Sequence, residues 1–259
     1  MAKRSAQPRR RQMRNAGPNE EFQGRDYEGD NVRRLFDDGH WTPLGQENER
    51  EQKYRKNIRV QNDAQQSLID AIDASPLVFA AGAAGTGKTY IAIAKGVEAL
   101  EQGRVRRIVL SRPAVEAGES LGFLPGDMAE KLSPYLRPLY DALCDRISGK
   151  RLKALLAEGV IEIAPIAYMR GRTLNNAYIV IDEAQNCTYG QLKMLLTRLG
   201  WSSSMIVTGD PAQTDLLPGM SGLEPVMEKL LPIEQVSIVR FTRADVVRHP
   251  LVAEMIDAL

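Results

Sequence analysis

The stretch Leu77–Leu100, LVFAAGAAGTGKTYIAIAKGVEAL, constrains the fold of this chain more than any other. It opens with an apolar run, Leu77 to Ala81, long enough for one buried parallel strand. Gly82-x-x-x-x-Gly87-Lys88-Thr89 follows, and an alanine-rich helical pattern then runs to Leu100 and stops at Gly103. Strand, glycine loop and helix in that order are the setting of a phosphate-binding loop. Without Cβ atoms at its three glycines, the loop can curl tightly and turn its N–H groups inward. Those groups and the helix N-terminus form a concave anion site. The residues expected around a phosphate chain are Gly82, Ala83, Ala84, Gly85, Thr86, Gly87, Lys88, Thr89 and Tyr90. Lys88 reaches the outer phosphates, and Thr89 offers a hydroxyl to Mg²⁺. The plain alternative is a glycine-rich turn before an ordinary helix. The ordered set of strand, loop, Lys-Thr and helix weighs against it.

A second constellation fits the first. The apolar run Tyr178–Ile181 ends in Asp182-Glu183-Ala184-Gln185. Two carboxylates at the end of a strand lie at the sheet edge where open α/β sheets bind ligands. Asp182 is the expected Mg²⁺ ligand, through water, and Glu183 the acceptor of the attacking water's proton. An exposed turn with two solvated acids is the alternative. A third run, Met205–Thr208, ends in Gly209-Asp210-Pro211-Ala212-Gln213. If its strand neighbours the Asp-Glu strand, the turn is aimed at the γ-phosphate, Gln213 is placed to orient the water or report its departure, and Thr208 or Asp210 to tighten the link to Asp182. Gly-Asp-Pro is common turn chemistry, so this motif depends on its neighbours.

Strands alternate with helices around these motifs. Asn62–Ile72 reads as an amphipathic helix capped by Asn62 or Asp63, with Leu68, Ile69 and Ile72 on one face. Arg107–Ser111, Val160–Ala164 and Val236–Val239 are further strands. Residues 113–126 read as a surface loop, and Asp127–Ile147 as a helix broken or kinked by Pro134 and Pro138. Helices are also expected over 150–158, Tyr189–Leu199, Gly222–Leu230 and Asp245–Ala258. The alternation predicts an α/β fold with a mostly parallel sheet and helices on both faces.

With 259 residues, 43% of them hydrophobic, the chain has room for a sizeable core. Its net charge of +1 does not by itself announce nucleic acid. No apolar run reaches the ~18–20 residues of a membrane span, and the basic N-terminus lacks the apolar stretch of a signal peptide. Cys144 and Cys187 stand far apart and read as reduced packing residues of a cytoplasmic protein. Residues 1–56 read as an extended, polar arm before a folded domain over 57–259. Within the arm, VRRLFDD and HWTPL carry apolar side chains suited to docking. Lys3, Arg4, Arg9, Arg10, Arg11 and Arg14 occur in its first 14 residues without an acid, a pattern that suits either a solubilising tail or polyanion binding.

Together GAAGTGKT, DEAQ and GDPAQ resemble the motor domain of superfamily 1 helicases. The text between them is narrower. SRPAVEAGESLGFLPGDMAEKLSPYLRPLYDAL, IAYMRGRTLNNAYIVIDEAQN, QLKMLLTRLG and IVRF with Asp245–Pro250 closely resemble the PhoH family, over about residues 60–258. The resemblance implies a RecA-like P-loop NTPase fold, use of ATP and Mg²⁺, and a link to RNA. It matches Gln65 to a glutamine that hydrogen-bonds adenine, for which an amide has both donor and acceptor. Arg112, Arg170 and Arg172 become candidates for RNA phosphates or a neighbour's nucleotide, with salt bridges as the rival reading. Arg240, Arg243 and Arg248 become candidate arginine fingers, of which Arg248 best matches the family motif.

The expected activity is therefore ATP hydrolysis by Lys88, Glu183, Gln213 and Arg248, on or with RNA. A P-loop phosphotransferase and a nucleotide-gated scaffold with little turnover are the alternatives. No second RecA-like domain or fused nuclease is read in the sequence. Arg248 lies far from the phosphate loop in sequence, so a finger acting across subunits predicts a closed hexameric ring. A monomer that delivers Arg248 in cis is the rival.

Overall fold

A computed structural model of the chain describes residues 58–113 and 128–247. The arm expected over 1–56, the loop expected after Pro113 and all but the start of the helix expected over 245–258 lie outside the described residues.

The chain enters through α1 (Asp63–Ala74), whose N-cap is Asn62. Its Oδ1 accepts the Gln65 N–H at 2.8 Å, satisfying one of the helix's unpaired donors. β1 (Leu77–Gly82) leads through the glycine loop into α2 (Lys88–Glu101). β2 (Arg107–Arg112), α3 (Met128–Cys144), α4 (Gly149–Ala157) and β3 (Ile161–Pro165) follow. Then come β4 (Ala177–Ile181), α5 (Tyr189–Leu196), β5 (Ser204–Gly209), α6 (Leu223–Leu230) and β6 (Val236–Phe241). Every sequence-predicted strand is present, within two residues of its expected bounds.

The six strands form one sheet in the order β3-β2-β4-β5-β1-β6, and all pairings are parallel. Alternation along each strand sends side chains to opposite faces. Val78, Ala80, Ile108, Leu110 and Val180 pack against α1, α2, α3 and α4. Phe79, Val109, Ile179, Ile181 and Val207 pack against α5 and α6. Both faces are buried, which accounts for strands that read as unbroken apolar runs. β5 lies between β1 and β4, with Ala81 opposite Gly209 and Ile181 opposite Val207. The three loops that carry the sequence motifs therefore leave the same edge side by side.

Two local expectations change. No break interrupts α3 at Pro134 or Pro138. Leu136, Leu139 and Leu143 of that helix are buried while Pro138 is exposed, so the carbonyl that Pro138 leaves without a donor lies on the solvent side. α5 stops at Leu196 rather than Leu199, because Leu199 bridges to Leu174 and draws the chain out of the helix.

Candidate functional site

The phosphate loop is held from behind. Gly82 has φ +139°, and a Cβ there would lie 2.0 Å from the Phe241 carbonyl oxygen, so no other residue fits where β6 ends against the loop. The Gly85 carbonyl accepts the Val247 N–H at 2.9 Å, and the Thr86 carbonyl accepts Gln65 Nε2 at 3.0 Å. Lys88 Nζ donates to the carbonyls of Gly82 and Ala83 at 2.7 and 2.6 Å, and to Thr86 Oγ1 at 3.2 Å. With these carbonyls engaged by the protein, the N–H groups of the loop other than that of Ala84, which Asp210 takes, are left for an anion. Burial lowers the pKa of Lys88, against the attraction of Asp210, Glu183 and Asp182.

At the end of β4, Asp182 is buried and Oδ1 accepts two hydroxyls, Thr89 at 2.6 Å and Thr208 at 2.7 Å. One is the first turn of α2 and the other is β5, so Asp182 fastens the phosphate loop's helix to the sheet. Hydroxyl and carboxylate oxygens converging on one point are the hard donor set that suits Mg²⁺. Arg112, at the end of β2, stands 3.5 Å from Asp182 Oδ2 and 3.3 Å from Glu183 Oε1. Glu183 has φ +52°, a left-handed conformation that is uncommon for a residue with a side chain. Asp210 Oδ2 accepts the Ala84 N–H at 3.1 Å, and its Oδ1 accepts the Ala212 N–H at 3.1 Å. Ala84, Gly85, Gly87, Lys88, Thr89, Tyr90, Asp182, Glu183, Asp210 and Gln213 line one open cavity.

The remaining candidates divide. Gln65 is only 5% exposed, and its Oε1 accepts the Gln61 N–H at 2.9 Å while its Nε2 braces Thr86. It lies behind the loop and supports it. Arg172 makes a two-pronged pair with Glu162, at 2.5 and 2.7 Å, which is the salt-bridge reading. Arg170 is exposed. Arg240 pairs with Glu224 at 2.9 and 3.1 Å, and Arg243 is exposed in a short 3₁₀ turn. Arg248 lies outside the described residues. Val247, the last described residue, donates its N–H to the carbonyl of Gly85 in the phosphate loop.

Arg112 follows its salt-bridge reading and pairs with both motif carboxylates. Sequence reasoning missed one role: Gln185 joins Glu183 to the Gln213 turn. The only sequence signal for Gln185 was its place inside DEAQ. Cys187 is buried, which pushes its thiol up to about 12, and neither cysteine is in a disulfide. Among the described residues no helix is long and apolar enough to cross a membrane.

A family model described as PhoH-like protein matches residues 57–259. A PhoH-like protein of Bacillus subtilis (strain 168) is 55% identical over 204 residues, covering 78% of this chain and 64% of that protein. A PhoH-like protein of Mycobacterium leprae (strain TN) is 54% identical over 204 residues, covering 78% and 58%. Protein PhoH of Escherichia coli (strain K12) is 49% identical over 197 residues, covering 75% and 56%. The chain thus spans 56–64% of the length of these relatives. Among solved structures, a large terminase from a thermophilic bacteriophage, in complex with ADP, is similar at TM-score 0.47 and 12% identity, over 75% of this chain and 49% of that one. The family match takes in every described residue of the sheet, the phosphate loop and the carboxylate turn, and on that footing the chain belongs to the PhoH-like protein family.

Proposed function

We propose that this chain is a Mg²⁺-dependent ATP hydrolase of the cytoplasm that works on or with RNA, as a hexameric ring. The observation that carries the hydrolase reading is the meeting of Thr89 and Thr208 on Asp182, with Glu183 next in the chain and Lys88 in the same cavity. Thr89 and Asp182 would hold Mg²⁺, which when bound offsets charge on the outer phosphates. The loop's N–H groups bind the phosphate chain, and Lys88 exchanges its loop carbonyls for phosphate oxygens. Glu183 takes a proton from water as the water oxygen bonds to the γ-phosphorus. The bond from that phosphorus to the bridging oxygen breaks, and ADP leaves. Gln213 orients the water from the β5 side.

RNA is supported by the family resemblance, by the exposed Arg170 and by the six cations among residues 1–14. We place those cations in an arm over 1–56 before an ATPase domain over 57–259. Deleting residues 1–14 weakens RNA binding and flattens its dependence on salt, because fewer counterions are released. The ring reading rests on the need for a cation at the γ-phosphate. Delivery of Arg248 in cis by a monomer is the rival.

An ATPase assay that measures ADP and free phosphate tests the reaction. Lys88→Ala lowers turnover on the order of 10²–10³-fold, as does losing one group that stabilises transition-state charge. Glu183→Gln keeps ATP bound and lowers hydrolysis roughly 10²–10⁴-fold, since an amide takes no proton. Near-normal turnover in Lys88→Ala would sink the reading. ADP formed with phosphate on another acceptor would make the protein a phosphotransferase.

A further inference from the structure

Gln185 is 2% exposed, and its amide is engaged on three sides. Nε2 donates to Glu183 Oε2 at 2.5 Å and to the Gln213 carbonyl at 3.2 Å. Oε1 accepts the Asp210 N–H at 3.0 Å. Gly209 makes the room, for a Cβ there would lie 2.8 Å from Gln185 Oε1 and 2.8 Å from Leu223 Cδ2. Asp210 in turn accepts the Ala84 N–H of the phosphate loop. A continuous chain of hydrogen bonds thus runs from the loop through the Asp210–Gln213 turn to the carboxylate of Glu183.

The other carboxylate oxygen of Glu183 faces Arg112 Nη2 at 3.3 Å. Both oxygens therefore have donors, one from the end of β2 and one from the 3₁₀ turn after β4, and the backbone beneath them is held at φ +52°. Donation to a charged oxygen is about twice as strong as between neutral groups, so the bonds from Gln185 and Arg112 both restrain the rotamer of Glu183, and that of Gln185 is the shorter. Gln185 does not line the cavity. Whatever it does for the reaction it does through its neighbours.

We propose that Gln185 is a positioning residue for the hydrolysis assigned above: it aims the Glu183 carboxylate and ties that aim to the Asp210–Gln213 turn. The proposal rests on Glu183 being the base of that reaction. A displacement of the turn as phosphates enter the loop is passed to Glu183 by one amide, so the base and the water-orienting Gln213 move as a pair.

The test is a double-mutant cycle on single-turnover ATP hydrolysis, with Glu183→Gln, Gln185→Leu and the double variant. Gln185→Leu lowers the rate roughly 10²-fold, the scale of a misaimed catalytic group, while the dissociation constant of a non-hydrolysable ATP analogue moves less than about threefold. Adding Gln185→Leu to Glu183→Gln costs nothing further. Equal losses in both backgrounds would overturn the proposal, because Gln185 would then act independently of Glu183. Gln185→Glu covers the case in which Gln185→Leu does not fold. It keeps length and the acceptor for Asp210 but turns a carboxylate toward Glu183, and a wild-type rate there overturns the proposal as well. A wild-type protein without turnover removes the hydrolase reading on its own. The same cycle is then read on the analogue's dissociation constant with Mg²⁺ present. The small shift that Gln185→Leu causes is expected to vanish in the Glu183→Gln background, and an unchanged shift there overturns the positioning role.

Discussion

Thr89 Oγ1 donates to Asp182 Oδ1 at 2.6 Å, joining the first turn of α2 to the end of β4 across 93 residues of chain. Thr208 donates to the same oxygen at 2.7 Å from β5. Outer partners of this kind fix a metal-binding carboxylate in one orientation. Thr208→Val is therefore expected to raise the Mg²⁺ concentration for half-maximal ATP hydrolysis by about 10–100-fold, with less effect at saturating Mg²⁺. A Mg²⁺ titration of the initial rate checks this. An unmoved midpoint would mean that Asp182 holds its place without Thr208.

Gln65 supports the loop through the Thr86 carbonyl and is itself buried. Gln65→Ala leaves that carbonyl and the Gln61 N–H without the amide, at a cost of about 1–3 kcal/mol for buried groups. The expected outcome is a loss of affinity of roughly tenfold for ATP and GTP alike, about 1.4 kcal/mol. Equilibrium binding of both nucleotides decides it. A loss confined to ATP would instead place Gln65 at the adenine base.

Arg172 donates to both oxygens of Glu162, and this holds the Glu162 carboxyl below its ordinary pKa. The pair's side chains are about one-third exposed, 31% and 32%, so solvent screening limits its worth to about 1 kcal/mol or less. A carboxyl depressed in the fold contributes stability above its unfolded pKa, about 4.3, and loses it as pH falls through the folded value. Glu162→Gln is expected to be slightly less stable than wild type at pH 7, with the gap closing as pH drops below about 4. Urea unfolding midpoints across that range test the sign.

Mixing separates the two placements of Arg248. Arg248→Ala and Lys88→Ala subunits are each inactive, and together they regain part of the ATPase activity if the finger acts across a subunit boundary. A finger can contribute ~10³–10⁵ in rate, so even a small share of complemented sites is measurable. No recovery in the mixture, with a fully active monomer by light scattering, would assign the finger to its own subunit.

The strand, loop and helix of Leu77–Leu100 were legible because they are contiguous, and a short run's periodicity and its glycine spacing need no distant partner. The carboxylates of DEAQ and the turn of GDPAQ were legible for the same reason, as ends of apolar runs. Strand order was a different matter. Periodicity marks Met205–Thr208 as a strand, but only the folded sheet puts β5 between β1 and β4 and so brings Thr208 to Asp182. Arg112 and Arg172 look alike as arginines near strand ends, yet one faces Asp182 and Glu183 and the other grips Glu162. An arginine pairs with whichever carboxylate packing brings within reach, and sequence distance does not encode that. Gln185 has the same lesson in an amide, whose partners come from Glu183 beside it and from a turn some 28 residues on. The prolines of α3 mark the opposite limit. A local rule predicted a break or kink, yet no break occurs, and three buried leucines outweigh the two hydrogen bonds that Pro134 and Pro138 leave unmade.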